Sequence, residues 1–378
     1  MREDLPLPLV CIMAIVFVLH LFIVRIDALV FDEKIYVTQA LSIVVEKSFE
    51  PQYLPQPLGI GLTALMIRLF GFHPYAWRAL PIILGVGSIW VIFLLARAGT
   101  KDKSVALLAA GLYGFDVLTF VQSSIAMLDV FFVFFMLAGF YAYWTGRKLL
   151  APALLALSTL CKFPGILGFV VIVAMEYFAF SRPKKILSYC LLYGLVYLNG
   201  FIMLQMVLPT AGRVNPILFF PNAAVATVNF GATAQVFLSK PWDWITYPTP
   251  IQYGSTYLGM GNPAIWCLTI PAMAAVAWKF LKTRDTFLLF LLVWFAATYL
   301  LPWYPLALFT KRTIIIYYFL PTVGAVTTSI SITALSFLRR IREKLISRAL
   351  LMAYLLIVLY FFASYYPTRL ALFLLRVP

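Results

Sequence analysis

The stretch Leu149–Phe180, "LLAPALLALSTLCKFPGILGFVVIVAMEYFAF", decides how the chain is threaded through a membrane. It is apolar almost throughout and lies between two basic clusters, Arg147/Lys148 and Arg182/Lys184/Lys185. Short basic clusters between apolar runs stay on the cytoplasmic side, so the chain crosses an even number of times between them. At a rise of about 1.5 Å per residue the stretch is too long for one crossing and barely enough for two. It therefore splits at "CKFPG" into a tight hairpin. Pro164 suits the first turn of the second helix, where a missing N–H is no loss, and Lys162 falls at the outer end of the turn.

The same logic extends over the 378 residues. Hydrophobic residues make up 63%, charged residues 11%, and the mean hydropathy is +0.95. A water-facing surface needs far more charge than this, so a soluble globular class is excluded. Apolar runs near 8–26, 79–98, 105–123, 130–146, 149–161, 164–181, 186–208, 258–280, 286–301, 313–335 and 347–366 give about eleven transmembrane helices. The net charge of +15 sits in further clusters, Arg97/Lys101/Lys103, Lys279/Lys282/Arg284 and Arg339/Arg340/Arg342/Lys344/Arg348, after alternate runs. That is the positive-inside pattern, not a nucleic-acid footprint. The expected architecture is one all-α polytopic domain over 1–378, amino terminus inside, with two long extracytoplasmic segments, 27–78 and 209–257. The first carries "PLGIGLTALMIRLFG", too short to cross and read as an interfacial helix. Cys11, Cys161, Cys190 and Cys267 lie in apolar stretches without paired spacing and read as core residues.

By this topology Asp27, Asp32, Glu33, Glu46, Glu50, Asp129 and Asp243 all fall outside. Acids contribute little to orientation, so their gathering points to a site on the outer face. Asp32 and Glu33 adjoin each other at a lipid boundary, where desolvation and a like charge both favour a proton acceptor; a solvated loop pair is the alternative. Asp129 starts a span, as a helix-terminal carboxylate or a site residue. Arg78, Lys162, Lys311 and Arg312 are cations on the side that disfavours them, and their partners are headgroups or a substrate phosphate. Tyr36 lies beside the acids, and "KPWDWITYPTP" adds Trp242, Trp244 and Tyr247, as an interfacial belt or as sugar-stacking rings. Asp116 and Glu176 lie inside apolar runs, and His20 and His73 are isolated from each other and from cysteine. There is no Walker loop or Rossmann glycine pattern for a cytoplasmic nucleotide donor. These parts permit group transfer from a lipid phosphate on the outer leaflet, a carboxylate deprotonating a hydroxyl while cations hold the leaving phosphate.

In order, "FDEKIY", "QPLGIGL", "RLFGFHPYAWRALPIILG", "SSIAMLDVFFVFF", "ALSTLCKFPGILGF", "KPWDWITYPTP" and "KRTIIIYYFLP" follow one another. This order resembles the dolichyl-phosphate-mannose protein O-mannosyltransferases over most of the chain, and in part the aminoarabinose transferases of lipid A. Both have the type C glycosyltransferase fold. The resemblance implies a polyprenyl- or dolichyl-phosphate sugar donor, a mannose in this family, a protein Ser or Thr acceptor, inversion at the sugar carbon, and a multi-pass protein with its active site facing outside. It assigns the base to Asp32, acceptor positioning to Glu33, and donor phosphate contacts to Arg78, Lys162 and Lys311 or Arg312. Asp129, Tyr36, Trp242 and Tyr318 stand in support. In the aminoarabinose branch a divalent metal is held by the same aspartate and a later glutamate, here Glu46 or Glu50.

The chain departs from the family at "PQPLG", which lacks the usual histidine and middle proline, and at Ser124, where an arginine often stands. It has no room for the large soluble insertion of eukaryotic members and resembles a minimal prokaryotic or archaeal form. A lipid or lipid-linked glycan acceptor is the nearest alternative. A transporter or flippase would show inverted repeats and midplane charges, and no repeat is evident.

Overall fold

A computed structural model describes residues 6–24, 29–51, 56–210, 214–229, 231, 239–246, 250–253, 257–310, 312 and 314–365. The first apolar run forms α1 (Leu7–Ile23), hydrophobic on every face, as a helix shared between lipid and protein neighbours can be. Two short helices follow, α2 (Glu33–Val45) and α3 (Pro57–Phe70), packed on each other. At about 1.5 Å per residue, the 14-residue α3 is shorter than a bilayer core.

The long helix α4 (Pro74–Thr100) starts on Pro74, with the His73 ring accepting from Ala76 N. Next come α5 (Lys103–Gly114), capped by Asp102, and α6 (Val117–Ser124). Sequence periodicity ran these two together as one span. The structure breaks them by 58° at Phe115–Asp116. The cause is Asp116, whose buried carboxylate accepts from Thr119 N and Oγ1 and, across the bundle, from Asn262 N at 3.0 Å and Trp266 Nε1 at 2.8 Å.

Helix α7 (Leu128–Trp144) packs against α4 and against α8 (Leu150–Cys161). The expected hairpin then forms. Lys162 is extended, Phe163–Gly165 make one 3₁₀ turn, and α9 (Ile166–Phe178) leads back. Helix α10 (Pro183–Val207) follows. The second long segment holds α11 (Pro216–Asn229), the single turn α12 (Asp243–Thr246) and a hairpin of β1 (Ile251–Tyr253) and β2 (Tyr257–Gly259), with Gln252 opposite Leu258. A bridge between Phe49 and Thr210 ties the two long segments together.

The remaining elements are α13 (Pro263–Trp266), α14 (Thr269–Thr283), α15 (Thr286–Phe295), α16 (Leu301–Phe309), α17 (Leu320–Leu338) and α18 (Lys344–Tyr365). A π-helical turn, Ala296–Leu300, joins α15 to α16. Among the described residues six helices are long and apolar enough to cross a membrane, seven if α5 and α6 are one broken span. Helix length alone thus yields fewer spans than the eleven expected; α1, α7, α8 and α9 are apolar but shorter.

The innermost helix is α17, against α5, α14 and α15. Its many hydroxyls are tolerable there because they return to the preceding turn: Thr328 Oγ1 donates to Gly324 O and Ser331 Oγ to Thr327 O, both at 2.7 Å. Gly324 makes the close packing possible, since a Cβ there would lie 2.6 Å from atoms of Ile92 and Trp294.

Candidate active site

The adjacent acids at the start of α2 have different surroundings. Glu33 is wholly buried and its carboxylate is saturated. It takes a fork from Arg78, Nε and Nη2 both at 2.8 Å, and backbone N–H bonds from Val30 at 3.1 Å and Ala126 at 3.0 Å. Arg78 is equally buried, and its Nη1 donates to Val24 O at 3.3 Å. Two expectations are corrected here. Arg78 is not an open phosphate ligand, because a forked, desolvated carboxylate already occupies it. Glu33 is not placed to meet an acceptor; it pins α2 to α4 and to the α6–α7 turn.

Asp32 caps the same helix, half-buried, with no ion pair among the described residues. Tyr317 donates to it across a long 3.5 Å, and the Tyr36 hydroxyl also bonds it. Burial raises its carboxyl above the usual range and Asp129 adds to this, while Lys162 and the two hydroxyls act in the opposite sense. Beside it, Lys162 Nζ and Asp129 Oδ2 form a buried pair at 2.7 Å. The hairpin turn supplies the lysine and the first turn of α7 the aspartate, so two structural accidents of the backbone place opposite charges together. Lys162 Nζ also lies 5.1 Å from the Tyr317 ring centroid.

Tyr317 and Tyr318 follow one another in a 3₁₀ turn and touch edge-on at 4.8 Å. Tyr318 carries the array on to Arg312, whose Nη2 donates to the Tyr318 hydroxyl at 3.1 Å and whose Nη1 donates to Thr227 O on α11. Trp303 stacks flat on Tyr318 at 4.3 Å, and the Arg312 guanidinium lies over both rings. The π-helical turn just before α16 aims Trp303 this way, and Trp303 Nε1 donates to Thr298 O inside that turn.

So Asp32, Tyr36, Asp129, Lys162, Arg312 and Tyr318 belong to one contiguous array, whereas Arg78 and Glu33 lie behind it. Trp242 is partly exposed and meets Tyr304 at 5.8 Å and Lys240. Trp244 is wholly buried, donating to Ser239 Oγ, so it cannot stack on a sugar. Lys311 and Tyr247 lie outside the described residues. The suggested metal pairing of Asp32 with Glu46 is also corrected: they cap opposite ends of the 13-residue α2. The described residues contain no grouping of three or more His, Cys, Asp or Glu able to hold a metal.

Sequence reasoning missed Tyr317, Trp303, Gln122 and Tyr253. Gln122 Nε2 donates to Tyr253 Oη at 2.9 Å behind the acids. A signal existed only for Tyr317, which adjoins the singled-out Tyr318. The Ser124 hydroxyl bonds His20 Nδ1 at 3.0 Å, and the His20 ring stacks on Phe120.

The helical bundle with its outer segments has the fold of the type C glycosyltransferases, and several of its helices are apolar enough to span a membrane. The chain is 12% identical to one chain of the Saccharomyces cerevisiae protein O-mannosyltransferase Pmt1-Pmt2 complex bound to the sugar donor, with a TM-score of 0.76 over 96% of this chain and 90% of that one. Against ArnT from Cupriavidus metallidurans bound to undecaprenyl phosphate the TM-score is 0.60, at 16% identity, covering 86% and 59%. Residues 67–227 match the model of the family described as dolichyl-phosphate-mannose-protein mannosyltransferase. A polyprenol-phosphate-mannose–protein mannosyltransferase of Mycobacterium tuberculosis is 24% identical, over 73% of this chain and 70% of its own.

Proposed function

We propose that this protein transfers a mannosyl residue from a polyprenyl-phosphate donor to a Ser or Thr hydroxyl of a polypeptide, on the outer face of the membrane and with inversion. The observation that carries this reading is the division of labour among three neighbouring carboxylates. Glu33 and Asp129 are committed to ion pairs, while Asp32, among the described residues, meets tyrosine hydroxyls and stands within the field of Lys162. A carboxylate held half-buried and unneutralised is a proton acceptor in waiting.

In the reaction Asp32 takes the proton from the acceptor hydroxyl. The oxygen attacks C1 of the sugar from the side opposite the phosphate, the bond from C1 to the phosphate oxygen breaks, and polyprenyl phosphate leaves. Among the described residues Lys162 and Arg312 are the cations in this array, and they stabilise the charge that gathers on the departing phosphate. An outward-facing site is supported by the basic turns, which collect at the opposite end. The turn after α4 meets the end of α17 through Asp102 and Arg339 at 2.5 Å, and Lys185 at the start of α10 pairs with Glu176.

Purified protein in lipid nanodiscs, offered a panel of polyprenyl-phosphate sugars with a Ser/Thr peptide, yields mannosylated peptide on this reading. Asp32→Asn lowers turnover by about 100-fold or more while donor binding persists. Undiminished turnover in that variant removes Asp32 from the base role. Transfer to lipid-linked glycan in place of peptide replaces the acceptor.

A further inference from the structure

The residue before Asp32 is the most unusual backbone position near the site. Phe31 has φ +50°, the left-handed region, where bulky side chains are rarely found unless their surroundings enforce it. The enforcement is visible. Upstream, Val30 N donates to Glu33 Oε2; downstream, Glu33 is fixed by Arg78. The Phe31 ring is trapped between Tyr253, at 4.5 Å, and Tyr317, at 6.0 Å.

Tyr253 comes from the far side of the chain. It is the last residue of β1, wholly buried, and its hydroxyl accepts from Gln122 on α6. Gly259 on β2 leaves room for it: a Cβ there would come within 2.6 Å of the Tyr253 ring and hydroxyl. The hairpin therefore delivers one aromatic ring against Phe31 and is shaped to do so.

We propose that Tyr253 and Phe31 form a positioning clamp for Asp32, in which Tyr253 holds Phe31 left-handed and thereby aims the Asp32 carboxylate toward the Lys162–Asp129 pair. The clamp rests on the transferase reading for its effect on turnover, but not for its effect on geometry. Without the Tyr253 ring, Phe31 relaxes to negative φ, and the following residue swings while Glu33 stays anchored. The groups facing Asp32 are Asp129, Lys162, Tyr36 and Tyr317, so any swing changes its electrostatic surroundings.

Two readouts test the clamp in the full-length protein. In the mannosyl-transfer assay, Tyr253→Leu and Phe31→Ala lower kcat by about 10- to 100-fold, as displacement of a reacting group by an ångström does, with donor KM within about twofold of wild type. Tyr253→Phe, which keeps the ring and deletes the bond to Gln122, loses about threefold. Phe31→Gly, which adopts a left-handed φ freely, retains about tenfold more turnover than Phe31→Ala. In the second readout, Asp32 is labelled with a hydrophobic carbodiimide across a pH series and quantified by mass spectrometry. The pH of half-maximal labelling moves in Tyr253→Leu and Phe31→Ala and stays nearer wild type in Phe31→Gly. Equal behaviour of the glycine and alanine variants, or an unmoved midpoint in Tyr253→Leu, overturns the clamp. If wild-type protein transfers no mannose, the proposed function fails, and the labelling series still decides the clamp.

Discussion

Reassigning Arg78 from substrate to scaffold has a quantitative consequence. Arg78→Met leaves the Glu33 carboxylate buried with two backbone N–H donors and no cation. Removing one partner of a buried pair in this way costs about 3–5 kcal/mol. Glu33→Gln does the converse, stranding a wholly buried guanidinium, and falls in the same range. The double variant Arg78→Met/Glu33→Gln carries neither charge. Its amide oxygen still accepts from one of Val30 N and Ala126 N, so its cost falls well below the sum of the singles, with a coupling of about 2 kcal/mol or more. The assay is SDS titration in mixed micelles read by tryptophan fluorescence, alongside equilibrium binding of a polyprenyl-phosphate sugar. Near-additive singles, or an Arg78→Met protein of wild-type stability whose donor affinity drops tenfold, would refute the scaffold assignment and return Arg78 to the phosphate.

Because burial raises the Asp32 carboxyl, its proton-accepting form is lost as pH falls, at a pH above the ordinary carboxylate range. Lys162 acts to lower that value, so Lys162→Met moves the acidic limb of the kcat profile to higher pH, whereas Asp129→Asn moves it lower; limbs that do not separate in this order rule out the electrostatic coupling. The same Lys162→Met variant weakens donor binding, about tenfold for one lost cation contact, and unchanged affinity in a binding titration undoes its phosphate role. Gly324→Val overpacks α17 against Ile92 and Trp294 and destabilises by about 1–3 kcal/mol, read in the same SDS titration.

What could be read from the chain and what could not follow from the range of the interactions. The α8–α9 hairpin was legible because charge and length constrain it locally: Lys162, Pro164 and the flanking arginines and lysines all lie within one stretch. The break at Asp116 was not, since the donors that stabilise it, Asn262 and Trp266, come from a segment far along the chain. Arg78 was misassigned for the same reason. A lone cation on the outer side invites a phosphate, and nothing local says that the acid 45 positions earlier satisfies it. The pairing could have been suspected from the arithmetic of two acids at residues 32 and 33 with one arginine near the head of α4. Tyr317, Trp303 and Tyr253 were hidden by abundance: aromatic residues are 17% of the chain, and belt and core positions look alike in sequence. The left-handed Phe31 carries no mark at all, because the glycine or asparagine that would announce such a turn is absent.

The buried strut at Glu33 also sets an order of events during biosynthesis. Its four donors come from Val30, Arg78 and Ala126, and the neighbouring Asp32 is completed only by Lys162 and Tyr317. A nascent polypeptide made only as far as α3 holds both acids but neither Arg78 nor Ala126 for Glu33, and neither Lys162 nor Tyr317 for Asp32. The strut closes once residue 126 has been added, and the surroundings of Asp32 are complete only when residue 317 arrives. Fragments that stop short of residue 317 therefore lack part of the array around Asp32.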